Sequence, residues 1–526
     1  MTPRPLLRLV CAMAAAMIAA SPPAGAQPSP PGRLVAVLSA DVQILDPMVT
    51  AAAPSRTFGY LVWDTLFALD TNGAVHPQMV DRWTRSADGL TWTFHLRDGL
   101  TFSNLSPVTA EDCIASLQRW MALDNAMGRR LAAATARLVA IDDRSFAVHL
   151  KQPFELLLDA LAQPLGPLPV IMPASLIKAD GLKPVGTALG SGPFTFRRGT
   201  WIPGAQLQFD RNPAYRPRPE PADFLSGGKL AGVEGVDIRI IADESTAMNA
   251  LRAGEADFVE NASYDLLAAL RGNPNIKSLS PAGPSMWTGL FVLNHAAKPF
   301  DDPAIRQVLW QAIDQREMMQ ALGMPAGAAL DHCPSFFSCG TPLANDAGAG
   351  IAASPSVAAA QAALRRTAYA GEPVIIMQAN DVPSLRISAD VLADLLRKVG
   401  FRVDLQTMDL GTMFSRRNRN EGWSVYGTAV MGYNLRSPLT NFFIARNCSS
   451  TPGGHCDPEI NGLLDRFAQT PALEGQRQLA ARIQERVYIN TPAVLWGQYS
   501  RPLAYNARVQ GIIPSAVTVF WNITKH

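Results

Sequence analysis

Two hydrophobic periods alternate along this chain. Residues 92–97 (Trp92, Phe94 and Leu96 against Thr93, His95 and Arg97) and residues 145–150 place apolar side chains at every second position, as half-buried strands do. Residues 236–240 and 402–405 repeat that alternation. Between such runs the spacing turns helical. Thr109 opens a segment in which Ile114, Leu117, Trp120 and Met121 share a face, and Asp112 three residues on completes a capping box. Asp302-Pro303 opens another helix with Ile305, Val308, Leu309, Ala312 and Ile313 inward. A third, residues 388–399, is expected to bury Val391, Leu395 and Val399 and to stop at Gly400. Strands and helices interleaved in irregular order over several hundred residues predict a multi-lobed α/β protein.

Length agrees: 526 residues are too many for one compact core and divide into two or three lobes. At 48% hydrophobic and 17% charged residues the composition is that of a globular protein. A formal charge of +2 without any Lys/Arg-rich tract excludes the electrostatic footprint of a nucleic-acid binder. The 39 Gly and 41 Pro follow no repeat, which argues against collagen-like and solenoid architectures.

Residues 1–26 have the three parts of a secretory signal: Arg4 and Arg8, a short apolar run, and Ala24-Gly25-Ala26 as cleavage site. Cys11 lies inside the apolar run, too early for lipidation. Removing Arg4 and Arg8 from the 46 basic residues leaves 44, equal to the 44 acids. The longest later apolar stretch, residues 154–171, is broken by Pro164, Pro167 and Pro169 and carries Glu155 and Asp159, so no transmembrane segment is expected. A periplasmic location follows, with the signal cleaved near Ala26.

An oxidising compartment sets the reading of the cysteines. Cys333 pairs with Cys339 and Cys448 with Cys456 as local disulfides, with Cys113 left as a buried helical thiol. The rival is a metal site, since His332 and His455 adjoin two of these cysteines, but neither spacing is that of a zinc site. Catalytic signatures are missing: no G-x-S-x-G, H-E-x-x-H, P-loop or G-x-G-x-x-G precedes a helix. Gly190-Ser191-Gly192 lacks the elbow spacing and reads as a tight turn.

Several segments together carry a resemblance. They are Leu45-Asp46-Pro47, Trp63-Asp64-Thr65-Leu66-Phe67, Ser86-Ala87-Asp88-Gly89-Leu90-Thr91-Trp92, and Pro107-Val108-Thr109-Ala110-Glu111-Asp112. Further on come Gly190-Ser191-Gly192-Pro193-Phe194, Arg211-Asn212-Pro213, Arg252-Ala253-Gly254-Glu255-Ala256-Asp257, and Pro299-Phe300-Asp301-Asp302-Pro303-Ala304-Ile305-Arg306. In this order, over residues 33–515, they resemble the family 5 extracellular solute-binding proteins of ABC importers, the oligopeptide, dipeptide and nickel-binding group. The motifs themselves read as scaffold, with glycines serving turns.

The resemblance implies a two-lobed periplasmic-binding-protein-like fold of class II with an extra N-terminal subdomain. Lobe I would comprise residues 27–57, 186–281 and 490–526, the inserted subdomain 58–185, and lobe II 282–489. It also implies a monomer that closes on a small solute or short peptide-like ligand, delivers it to a membrane ABC permease, and uses neither cofactor nor catalysis. A peptide-binding chaperone or sensor on the same scaffold is the alternative, and an exported hydrolase a weaker one.

In peptide-binding members, a carboxylate four positions before a proline meets the ligand's amino terminus. Here Pro438 puts Asn434 at that place, and an amide cannot neutralise an ammonium; the loss of a buried charge partner costs about 2–5 kcal/mol. The ligand is therefore expected to lack a free α-amine there, or to be anionic and met by Arg436, unless Asp409 or Glu421 substitutes. Met431, Tyr433, Trp423, Trp287 and Tyr499 complete the expected ligand-binding set, with Trp496 and Arg386 as weaker candidates.

Overall fold

The structure, a computed structural model, describes residues 32–445, 447–448, 453–515 and 517–526. The expected leader at 1–26 lies outside the described residues. Among these, no helix is long and apolar enough to cross a membrane.

Three sheets organise the chain. A seven-stranded sheet runs Ile276–Leu279, Leu503–Asn506, Phe258–Val259, Arg33–Leu38, Gly235–Ile240, Gln206–Arg211, Phe194–Phe196. Its centre is parallel: Arg33–Leu38 pairs in parallel with both Gly235–Ile240 and Phe258–Val259. Leu34, Ala36 and Leu38 are buried on one face and Val35 and Val37 on the other, as expected of a strand covered on both sides. A second, five-stranded sheet runs Val403–Met408, Val374–Ala379, Val425–Met431, Trp287–Leu293, Ala493–Tyr499. A four-stranded antiparallel sheet, Val80–Arg85, Thr91–Leu96, Ser145–Leu150, Thr135–Asp142, forms the subdomain inserted between the first two strands of the seven-stranded sheet. This is the two-lobed α/β architecture with an extra N-terminal subdomain.

The alternating runs form strands as read, at Thr91–Leu96, Ser145–Leu150, Gly235–Ile240 and Val403–Met408. Thr109 and Asp112 close both halves of a capping box on helix Ala110–Ala122, and Asp302 caps Pro303–Ala312, whose five expected inward residues are all buried or in the adjoining turn. The helix read as 388–399 begins earlier, at Pro383, and its buried stripe is Leu385, Ala389, Leu392, Ala393 and Leu396. Val399 is buried as expected, whereas Val391 and Leu395 flank the stripe half-buried.

Residues 490–526, expected wholly in the first lobe, divide: Ala493–Tyr499 pairs with Trp287–Leu293 in the second sheet, and only Leu503–Asn506 joins the first. The chain therefore crosses between the sheets at 280–286 and at 500–502, and Ser500 Oγ donates to Pro281 O at 2.6 Å to tie the two crossings together. Gly190 and Gly192 form the expected tight approach: a Cβ at either would lie under 3 Å from the carbonyl group of Val62 at a helix end.

The motif acids hold this frame. Asp46 and Arg119 pair at 2.6 Å with both side chains buried, and Asp64 meets Lys229 at 2.7 Å and the Tyr215 hydroxyl at 2.9 Å. Burial alone would raise the Asp64 carboxyl; the Lys229 ammonium and the Thr65 amide outweigh it and hold it below the usual carboxylate range. Disulfides Cys333–Cys339 and Cys448–Cys456 are formed, which removes those sulfurs from metal ligation, and Cys113 is a buried thiol on its helix.

Candidate functional site

The carboxyl ends of parallel strands are where open α/β sheets expose backbone and accept ligands. In this molecule such ends from both sheets converge. Ser39 follows Arg33–Leu38, Ala242 follows Gly235–Ile240, and Glu260 and Asn261 follow Phe258–Val259. Opposite them stand Asp381 after Val374–Ala379, Met431 at the end of Val425–Met431, and Tyr499 at the end of Ala493–Tyr499. Two adjoining cavities lie between. The larger, about 450 Å³, is lined by Asn261, Tyr264, Asp381, Ser384, Tyr499 and Arg501 among others. The smaller, about 180 Å³, is lined by Arg56, Glu260, Trp287, Met431, Arg501 and Thr518 among others. Ser39, Asn261 and Arg501 border both. Together they have the volume of a small-molecule site.

Three of the expected residues meet here in one row. Trp287 is the cross-strand partner of Met431 on one side and of Tyr499 on the other. The row faces the first lobe because the antiparallel strand Trp287–Leu293 starts where its neighbours end. Tyr499 stacks on the fully buried Trp496, and its buried hydroxyl has no hydrogen-bond partner among the described residues. Trp496 itself is core: a Cβ on Gly289 would lie 2.1 Å from its ring.

The remaining expected residues lie elsewhere. Tyr433 stacks on Phe224 with ring centres 4.7 Å apart and donates to Thr71 O, so it clasps the two lobes rather than lining the cavities. Its hydroxyl is pushed up to about 12, chiefly by burial. Arg436 pairs with Asp159 of the inserted subdomain at 3.0 Å, which occupies the charge expected to meet an anion. Asn434 sits half-buried in the short helix Gly432–Leu435 and is not among the residues lining either cavity. Trp423 stands just before the opposite end of strand Val425–Met431, which itself spans about 20 Å at the rise of a strand, and donates its indole N–H to Arg419 O. It lines a separate 90 Å³ cavity beside His295 and His455. Asp409 caps helix Leu410–Arg416 through Thr412, and Glu421 and Arg386 are exposed, so neither acid replaces the missing carboxylate.

Sequence reasoning missed the charged members. Glu260 accepts from the Ser39 amide at 2.8 Å and the Ser39 hydroxyl at 2.9 Å, and burial pushes its carboxyl up. Arg501, in the second crossing between lobes, lies with its guanidinium carbon 4.2 Å from the Trp287 ring centre. Arg56 sits in the first turn of helix Ala53–Val62, 6% exposed. No motif marks these three, because the cleft joins segments more than 400 residues apart. What the arrangement offers is polar and aromatic contact for a small solute.

The chain is similar to known proteins over nearly its whole length. It is 33% identical over 505 residues, 92% of each chain, to a probable peptide ABC transporter periplasmic-binding protein of Sinorhizobium fredii. Its fold matches a dipeptide-binding protein from Pseudoalteromonas sp. SM9913 in complex with Met-Leu (TM-score 0.76, 19% identity, 94% of this chain and 100% of that one). It also matches AgaA of A. tumefaciens R10 in complex with agropinic acid (TM-score 0.75, 20% identity, 94% and 99%). Residues 74–454 match the family model described as "Bacterial extracellular solute-binding proteins, family 5 Middle". The protein therefore belongs to the family 5 bacterial extracellular solute-binding proteins.

Proposed function

We propose that this chain is the periplasmic receptor of an ABC importer, capturing a peptide-like or other small polar solute between its lobes and delivering it to a membrane permease. It acts as a monomer, after removal of its leader near Ala26, and leaves the solute chemically unchanged. The observation that carries this reading is the pair of adjoining cavities bordered by strand ends of both sheets, with Trp287, Met431 and Tyr499 in their lining. The probable peptide ABC transporter periplasmic-binding protein of S. fredii, similar over 92% of each chain, supports the substrate class. Closure is driven only if the solute binds the closed state better than the open one, and a cleft between two lobes supplies that difference by letting both touch it.

The ligand is proposed to carry no free α-amine at the segment after Met431. Asn434 stands where peptide-binding members would place a carboxylate, and neither Asp409 nor Glu421 stands in for it. Calorimetry against free and N-acetylated dipeptides tests this: the acetylated forms bind at least as well as the free ones. Tight binding confined to free-amine dipeptides contradicts it, and recovery of cleaved cargo contradicts the receptor role itself.

A further inference from the structure

The smaller cavity is bordered by a charged side chain that, among the described residues, meets no carboxylate within ion-pair distance. Arg56 is 6% exposed. Its Nε is buried without a hydrogen-bond partner, and among the described residues its side chain makes no hydrogen bond or ion pair. Glu260 lines the same cavity and attracts Arg56 electrostatically, but beyond ion-pair distance, its own carboxylate being held by Ser39. A buried cation without a partner is costly, and proteins seldom retain one that no ligand uses.

A second observation lies beside it. Arg56 belongs to the first turn of helix Ala53–Val62, whose N-cap, Ala52, offers no side-chain cap. Ala53, Pro54, Arg56 and Thr57 of that turn all line the cavity, so the positive end of the helix and the guanidinium converge on one space. The charges are also divided along the cleft. Arg56 and Arg501 outnumber Glu260 in the smaller cavity, whereas Glu244, Asp265 and Asp381 outnumber Arg501 in the larger.

We propose that the solute carries an anionic group, a carboxylate, held by Arg56 at the start of helix Ala53–Val62, with its more basic or neutral end lying toward the larger cavity. This deepens the receptor reading and rests on it. It also places the primary charge recognition on the first lobe rather than on the Asn434 segment.

The test uses the full mature protein as wild type, Arg56→Met and Arg56→Lys, each stripped of cargo. Thermal melting is recorded alone and with pooled N-acetyl dipeptides, offered as free acids or as C-terminal amides. The proposal expects free acids to shift wild type at concentrations about ten- to a hundredfold lower than amides, the range of a charge-assisted hydrogen bond. Arg56→Lys keeps a preference of the same sign and Arg56→Met loses it. Without ligand, Arg56→Met melts above wild type. Equal response of wild type to acids and amides overturns the proposal, as does a preference that survives in Arg56→Met. Should neither pool shift wild type, the peptide-like reading of the ligand fails, and the melting order decides Arg56: Arg56→Met below wild type overturns its role as an unanswered charge, and above it supports that role.

Discussion

Lys229 and Arg119, packed where the first sheet meets the inserted subdomain, each meet a carboxylate at less than 3 Å with both partners buried. Arg56, also buried but at the cleft, meets none among the described residues. The first two close their charge within the fold and gather further partners: Arg119 donates to Gly181 O and Lys183 O, and Lys229 lies 4.9 Å from the Trp521 ring centre. The contrast separates charges that serve the scaffold from one that awaits a ligand. Burial alone does not tell them apart; the presence of an internal partner does.

That comparison is open to attack by mutation. The largest effect is expected in the seam. Lys229→Met leaves Asp64 buried and unpaired and lowers stability by about 3–5 kcal/mol in urea unfolding. A loss below about 1 kcal/mol, the scale of an exposed pair, would erase the distinction between seam and cleft. A similar loss, about 3–5 kcal/mol, is expected for Trp423→Ala, which opens a hole at the far end of the second sheet but leaves ligand affinity unchanged. Altered affinity in a variant of unaltered fold would place Trp423 back in the site.

Acid tests the same far end. Burial first, then the charge of Arg306, holds His295 at about 3 and His455 at about 4, both below the unfolded value near 6.5. The unfolded chain therefore takes up protons that the folded chain refuses. Stability is fully present above about pH 6.5 and falls as pH drops toward 4, by at most about 1.4 kcal/mol per pH unit for each ring. Replacing either His by Gln should flatten that slope in pH-dependent unfolding; an unchanged slope would mean the rings protonate freely in the fold. The smallest effect is expected at the platform: Trp287→Ala removes the ring beneath Arg501 and weakens ligand binding by about tenfold, with little change in melting.

Much of the frame was legible in the chain. Alternation marked strands at 91–96 and 145–150, the Thr109–Asp112 box marked a helix start, and short cysteine spacings marked both disulfides. These are local signals, written within a few residues. The site was legible only in part. Trp287, Met431 and Tyr499 were named separately and meet because antiparallel pairing aligns them. Tyr433, Arg436 and Trp423 lie as near to Met431 in the chain, yet a turn and a strand send them to a lobe contact, a subdomain ion pair and the opposite end of the sheet. Arg56 and Glu260 carry no local pattern at all; their meaning arises only when residues some 200 positions apart face one cavity.

The central claim is that a solute is enclosed, intact, between the lobes. Native mass spectrometry of protein purified without refolding tests it most directly, run beside Ser39→Trp, which fills the border of both cavities. Wild type is expected to carry a small, uncleaved, carboxylate-bearing adduct that Ser39→Trp lacks at equal folding. An adduct retained in full by Ser39→Trp, or one released as a cleaved product, would contradict it.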